Sequence, residues 1–218
     1  MKFRTLTISM ICVVFAVCFA LSAFGQELKP VQLPEPKLDP SKSLVQALKE
    51  RKTTREYAGD LSAQALSNLL WAATGINRPD SGKRTAPTAK NWQEIDLYVA
   101  TKQGMYLYDP KGNALVPIVM EDIRPLTYTQ IDRFKDAPVH LVYIADLAKT
   151  DVEEGAAMLL AAMDTGFVAQ NVYLYCASEG WPTGYRVSIH KDKLGEALKL
   201  RPTQRIIGAQ SVGQLKSK

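Results

Sequence analysis

The residues best suited to chemistry lie in one short stretch, Arg51-Lys52-Thr53-Thr54-Arg55-Glu56-Tyr57, which sets three cations and two hydroxyls within five positions. Arg presents a planar fork of donors that matches phosphate oxygens, Lys adds a point charge, and Thr hydroxyls donate without bulk. The combination suits a phosphate monoester. A basic run at a helix end is ordinarily a solvated face, so its meaning depends on what the rest of the chain brings to it. Two other stretches carry groups of interest. Thr85-Ala86-Pro87-Thr88-Ala89-Lys90-Asn91-Trp92-Gln93-Glu94 is small and polar, and Asn91 and Gln93 each hold a donor and an acceptor able to read the mixed edge of a heterocycle. Local turn bonds are the plainer use of the same residues. Glu179-Gly180-Trp181-Pro182-Thr183-Gly184-Tyr185 reads as a loop whose glycines could bring backbone N–H groups close to a ligand, or as a plain connector.

The elements that must position these stretches are readable from periodicity. Leu44, Ala47, Leu48 and Arg51 share a helical face that begins near Ser41 or Ser43 and ends close to Lys52-Thr53-Thr54. The basic stretch therefore follows a helix C-terminus, where the dipole opposes an anion, and the Arg and Lys side chains would have to hold it themselves. Leu66, Leu69, Leu70 and Ala73 mark a second helix after Ser62, stopped by Gly75. Residues 76–84 read as a polar loop. Ile95, Leu97 and Val99 alternate as a half-buried strand. A hairpin turns at Asp109-Pro110-Lys111-Gly112-Asn113, and Pro117 makes its second strand an edge. A short helix is predicted from Thr129 to Phe134. Val139–Ala145 is a compact apolar strand central to the sheet, with His140 as a strand residue and not a metal ligand. No clustered ligand set accompanies either histidine, and no metal is assigned. The helix from Val152 to Ser178 is apolar on nearly every face and would be about 40 Å long, more than one small domain can cover, which points to a dimer sharing it. A short helix around Lys193–Leu198 and a strand over Arg205–Gly213 close the chain.

Composition narrows the class. Residues 1–25, with Lys2, Arg4, an apolar run and Ala23-Phe24-Gly25 before Gln26, form a secretory signal peptide with cleavage expected after Gly25; a retained anchor is the rival reading. Export to the periplasm or another extracytoplasmic space follows, with no stable membrane insertion after cleavage. Without those residues 25 cations face 22 anions, a net +3 (27 − 2 − 22), too mild for a nucleic-acid partner. Cys176 is then the single cysteine, set in an apolar run and read as core. Residues 26–42 carry Pro30, Pro34, Pro36 and Pro40 and form an extended tether or a surface arm; residues 43–218 form one domain.

In this order the stretches resemble the FMN-dependent nitroreductase superfamily, and within it the branch of the thiazoline and oxazoline dehydrogenases of peptide-toxin biosynthesis. Arg51–Tyr57 is similar to the family's Arg-Arg-Ser-x-Arg-x-Phe. Gly82–Gln93 is similar to its Pro-Ser-x-x-Asn-x-Gln segment. Asp164–Leu174 resembles its dimer-interface helix, and Ile206–Gly213 its closing strand. The resemblance implies a three-layer α-β-α sandwich of the α+β class, with a central mixed, mainly antiparallel sheet, and a homodimer with FMN at the interface. It implies that Arg51, Thr53 and Arg55, with Lys52 beside them, hold the FMN phosphate. Thr88, Asn91 and Gln93 would meet the ribityl chain and ring, and Pro182, Thr183, Gly184 and Tyr185 would lie by the flavin N5. No catalytic side chain is assigned, because the flavin carries the chemistry. The implied reaction is a ping-pong transfer from a donor to a small organic acceptor. The alternative is an exported FMN-binding dimer without turnover. Relatives often place a cation just after the closing Val-Gly, where this chain has Gln214, with Lys216 the nearby candidate.

Overall fold

The computed structural model describes residues 28–215. The signal segment and Lys216 lie outside these residues. Within them the strands are β1 (Val31–Gln32), β2 (Tyr57–Ala58), β3 (Ile76–Arg78), β4 (Lys83–Arg84), β5 (Ile95–Thr101), β6 (Gly104–Asp109), β7 (Ala114–Val119), β8 (Val139–Asp146), β9 (Thr183–Arg186), β10 (Gln204–Val212) and β11 (Gln214–Leu215). The helices are α1 (Leu44–Glu50), α2 (Ala63–Thr74), α3 (Ile131–Phe134), α4 (Glu154–Glu179) and α5 (Lys191–Ala197).

Seven strands form the central sheet in the order β1-β7-β6-β5-β8-β10-β9, and every pair in it is antiparallel. Alternation sorts its side chains into two cores. Leu97, Val99, Leu141, Tyr143 and Val212 face α2 and α4, where Leu69, Leu70, Val168 and Val172 complete the layer. Tyr98, Ala100, Val142, Ile144 and Ala209 face the other way, toward Leu194 and Leu198 of α5. Both faces of β8 are therefore covered, which is why its run is apolar without alternation and wholly buried. The result is the layered α+β sandwich with a long helix that the resemblance implies.

Four local expectations change. Residues 76–84 are not a plain loop: β3 and β4 pair across a 3-10 turn at Pro79–Ser81. The 179–185 segment is a loop only to Pro182; Thr183–Arg186 is the edge strand β9, paired with β10. Gly75 ends α2 with φ −68° and ψ 162°, not as a left-handed cap. A Cβ there would lie 2.4 Å from Cδ1 of Trp71, so glycine is needed for the indole to close over the helix end. Pro117 lies opposite Tyr106, and β7 gains a second neighbour at its start, where Ala114 and Leu115 pair with β1.

The proline-rich segment is the surface arm of the two readings. Leu33 is buried in the first core, and its N–H donates to the Asn113 carbonyl at 3.0 Å. The Pro34 carbonyl accepts from Ser67 Oγ at 2.5 Å and from Asn113 Nδ2 at 2.8 Å. Asn113 Oδ1 accepts from the Tyr108 hydroxyl at 3.1 Å. One asparagine, held at φ 45° in the β6–β7 turn, thus fastens arm, hairpin and α2 together.

Helix α4 starts on the Glu153 carboxylate, which accepts from the N–H groups of Gly155 and Ala156, and stops at Gly180 in the left-handed conformation. One side, with Ala157, Ala161, Val168 and Val172, is buried in the sheet layer. On the other, Leu159, Met163 and Phe167 are 63%, 53% and 45% exposed. Leu44, Val45 and Leu48 of α1 are also more than half exposed. Among the described residues no helix is long and apolar enough to cross a membrane.

The arm's attachment is testable. Asn113→Ala loses the side-chain bonds and strains the turn, whereas Asn113→Gly loses only the bonds. Urea unfolding should show both destabilised by about 1–3 kcal/mol, with the alanine variant lower than the glycine variant by about 1 kcal/mol. Wild-type stability in both would show that the arm is not held this way.

Candidate functional site

Arg51 caps the C-terminus of α1, its N–H donating to the Ala47 carbonyl at 2.8 Å. The helix end therefore offers carbonyls, and any anion beside it must be held by side chains. The next residues run along the outer edge of β9. The Thr54 N–H donates to the Thr183 carbonyl at 3.2 Å. The Thr53 hydroxyl lies 3.1 Å from the Tyr173 hydroxyl, and the Tyr185 N–H donates to the same Tyr173 oxygen at 2.9 Å. Because Tyr173 accepts from Tyr185, its own hydrogen can go to Thr53, which leaves the Thr53 hydrogen for a ligand oxygen. The Arg51 guanidinium sits over the Tyr173 ring, 5.5 Å from its centre.

Gly184 lies at the centre of this arrangement. A Cβ there would be 3.3 Å from Thr53 Cγ2, 3.5 Å from the Tyr57 hydroxyl and 3.6 Å from Arg55 Nε. The basic stretch and the β9 strand are thus brought together, with the bare glycine backbone at the place where their groups converge. Lys52 is exposed and Pro182 is buried, its carbonyl accepting from the Gly213 N–H at 3.4 Å. Gln214 pairs with Ala58 beside the same stretch.

Positive charge dominates here. Arg55 lies over the Phe134 ring at 5.6 Å, and Arg186 lies over that ring at 4.1 Å. Arg186 is buried, and its partners are neutral: the Thr127 carbonyl and hydroxyl, the Ser211 hydroxyl and His140 Nδ1, at 2.7–3.1 Å. Desolvation pulls its pKa down to about 10. Burial and the Arg186 charge hold His140 well below the usual histidine range, so it is a neutral acceptor in this network. Burial pushes the Tyr57 hydroxyl up to about 12.

The Thr88–Gln93 segment lies elsewhere. Thr88 Oγ1 accepts from the Gln93 N–H at 3.0 Å, and Gln93 Nε2 donates to the Gly82 carbonyl at 3.0 Å and to Asn91 Oδ1 at 3.3 Å. Local turn bonds thus engage much of its polar capacity. The segment is tied to α4 through the Ala89 N–H, which donates to Asp164 Oδ2 at 2.8 Å. Asp164 and Tyr173 are nine residues apart on α4, about 13 Å along its axis and on opposite sides of it. One chain therefore does not bring the two groups of site residues together.

Four residues of this region escaped the sequence reading. Tyr173 and Arg186 carry no motif; an Arg two positions beyond a glycine in an edge strand is the faint signal for the second. Glu94 and Asp164 form a buried carboxyl pair, 0% and 3% exposed. Burial, with the Asp164 carboxyl beside it, pushes Glu94 up to about 7.

A model of the nitroreductase family matches residues 48–214. The chain belongs to the nitroreductase family. That makes it an oxidoreductase in general class. It is 29% identical over 169 residues to a protein of Methanocaldococcus jannaschii named as a nitroreductase, covering 72% of this chain and 85% of that one. A crystal structure from Ralstonia eutropha JMP134, also named as a nitroreductase, superposes with a TM-score of 0.82 at 34% identity, over 90% of this chain and 94% of the other. A protein of Clostridium difficile R20291 named as an FMN-dependent nitroreductase shares the fold, with a TM-score of 0.55 at 19% identity, over 80% and 88% of the two chains.

Glu94 gives the nitroreductase domain a pH signature. Its folded pKa is raised from 4.5 to about 7, so its contribution to stability is fully present below 4.5 and is lost as pH rises through about 7. Urea midpoints of the wild type should fall across that window. Those of Glu94→Gln, which has no proton to lose, should lack this component. Equal slopes in the two proteins would remove Glu94 as the source.

Proposed function

We propose that the chain is an FMN-dependent oxidoreductase that works as a homodimer, with a ping-pong transfer of electrons from a donor to a small organic acceptor. The observation that carries this reading is the convergence of Thr53 and Arg55 on the bare backbone of Gly184, with Arg51 over the Tyr173 ring that Thr53 touches, in a nitroreductase-family chain. The cluster fits a phosphate and a flat ring. Among the described residues its cations have no acid as a hydrogen-bond partner, and glycine lets Thr53, Tyr57 and Arg55 close on the β9 backbone.

In this reading Arg51 and Arg55 hold the phosphate by charge-assisted hydrogen bonds, and the Thr53 hydroxyl, fixed by Tyr173, adds a third. The buried Arg186 contributes a fixed positive field behind Gly184, where it favours negative charge on a bound ring. When bound, FMN supplies two-electron transfer at its ring. The protein's part is to hold, orient and polarise it.

The dimer follows from two features. The Thr88, Asn91 and Gln93 group is displaced along α4 from the Arg51 group, so a ring contacted by both needs a second copy. The apolar stripe of Leu159, Met163 and Phe167 offers surface for that copy, as do the exposed Leu44, Val45 and Leu48 of α1. The thiazoline and oxazoline dehydrogenase branch is supported by the four sequence stretches alone. Export is proposed from residues 1–25. Soluble nicotinamide donors are scarce outside the cytoplasm, which favours another reductant.

Purified protein should be yellow, bleach on chemical reduction and recolour with an acceptor. Arg51→Ala and Arg55→Ala should each weaken FMN binding about tenfold or more, read by titration of flavin fluorescence, since each removes a charge-assisted bond. Unchanged affinity in both would refute the assignment of the stretch. A colourless protein that takes up no FMN would refute the cofactor.

Phe167→Glu places a charge in the apolar stripe and should shift the protein from dimer to monomer in sedimentation at micromolar concentration. A wild-type monomer under those conditions would refute the shared helix.

A further inference from the structure

The Thr88–Gln93 loop has a conformation that something must hold. Lys90, Asn91 and Gln93 all adopt left-handed backbone, at φ 49°, 58° and 52°. None is a glycine, and Lys90 and Gln93 in particular sit where side chains other than asparagine are strained. Gln93 Nε2 ties it to the Gly82 carbonyl, and the bond from the Ala89 N–H to the buried Asp164 Oδ2 ties it to α4. Behind that bond is Glu94, the residue that follows the loop, fully buried.

Neither carboxyl oxygen of Glu94 has a donor partner among the described residues, and the neighbouring Asp164 carboxyl helps to raise its pKa. Two ionised carboxylates are acceptors only and repel. A single proton resolves the arrangement: a protonated Glu94 donates to Asp164, and Asp164 keeps a lone pair for Ala89. The other charges facing the pair do not replace that proton. Lys149 Nζ is engaged by Asp96 at 2.6 Å and the Gln93 carbonyl at 3.4 Å. Arg84 donates from Nη1 to Thr74 Oγ1 at 3.3 Å, and its buried Nε makes no hydrogen bond to Glu94. Lys90 is paired with the exposed Asp151 at 2.9 Å.

We propose that Glu94 and Asp164 are positioning residues, whose shared proton clamps the Thr88–Gln93 loop in the shape that meets the flavin ring. This rests on the FMN reading above. Burial and the neighbouring Asp164 raise Glu94 to about 7, so the clamp closes below neutrality and opens above it. On opening, the charged pair separates, Ala89 loses its acceptor, and the three left-handed residues relax. The loop is then no longer shaped for a ring, and FMN affinity falls. Glu94→Gln keeps a donor toward Asp164 through its amide and has no proton to lose. Asp164→Asn does the same from the other side, donating to Glu94 while its carbonyl accepts from Ala89.

The full chain is tested at about pH 6 and about pH 8. Two readouts are taken: FMN dissociation constants from flavin fluorescence, and amide hydrogen exchange over residues 88–93 in protein stripped of flavin. In the wild type, FMN should bind about tenfold more weakly at the higher pH, and the loop amides should lose protection relative to Glu94→Gln at the same pH. Glu94→Gln should bind FMN tightly at both, with Asp164→Asn standing in if that variant does not fold. A merely structural role would change stability without separating these pH profiles. Wild type and Glu94→Gln tracking each other in both readouts, or a wild type indifferent to pH, would overturn the proposal. Absence of FMN binding at every pH would sink the flavin reading alone, because the exchange difference in the flavin-free protein decides the clamp by itself.

Discussion

Helix α4 is the constraint on which the proposed site depends, because it holds both groups of candidate residues at fixed separation. It is 26 residues of regular helix, seated on the sheet by Ala157, Ala161, Val168 and Val172. From its C-terminal half, Tyr173 holds Thr53 and the β9 backbone together. Nearer its N-terminus, Asp164 holds the Thr88–Gln93 loop. A helix does not stretch, so about 13 Å of axial rise separates the two attachments in every state of the protomer. The same helix leaves a third stripe, Leu159, Met163 and Phe167, without a partner. In the proposed dimer that stripe and the divided site have one explanation: the surface that seeks cover is on the element that keeps the half-sites apart.

The second theme is charge held without its opposite. Arg51 caps a helix C-terminus, which already presents carbonyls, and lies over Tyr173, which has no formal charge. Arg55 and Arg186 flank one phenyl ring. Arg186 has four hydrogen bonds and no acid partner, an arrangement in which burial works against the charged form. A fold selected for stability alone would gain by replacing such a cation with an apolar side chain. Its retention beside Gly184 is understandable if the missing negative charge is supplied by a ligand.

Much of the frame was legible from residue pattern, and the reasons differ by element. Strand β5 showed its alternation because Ile95, Leu97 and Val99 enter the first core while Asp96, on the other face, stays partly exposed, and β8 showed its run because both faces are covered. The β6–β7 hairpin declared itself through Asp109-Pro110 and Gly112-Asn113. Strand β9 did not, because Gly184 is a turn former by local preference and only pairing with β10 makes it extended. The arm was equally opaque: its anchor is a carbonyl at Pro34 meeting an asparagine 79 residues away. At the site, the cations and the glycine could be named from the sequence, while Tyr173 and Asp164 could not. Their roles come from which side of α4 they face, and a helix that is apolar nearly all round gives little information about its sides. Glu94 was hidden by its neighbours, since a carboxylate beside Gln93 and Asp96 reads as solvated until the loop is folded over it.

The loop itself supports a functional reading over a merely connective one. The Gln93 N–H donates to Thr88 and its side chain to Asn91 within the segment, as in a plain turn. A plain turn, however, relaxes to unstrained backbone when its sequence allows, and nothing in Lys90, Asn91 or Gln93 demands three left-handed residues. The strain is sustained from outside, by a buried acid accepting from Ala89 and a second buried acid behind it. Two carboxyls are a poor choice for a structural anchor: a serine or an amide would hold an N–H without the penalty of a like pair. What the acid pair adds is a proton that can be lost near neutrality, and with it a loop whose shape depends on that proton. Asn91 has its carbonyl engaged by Gln93 and its amide hydrogens without a partner among the described residues. It is therefore the group the strained loop leaves exposed and available to a ligand.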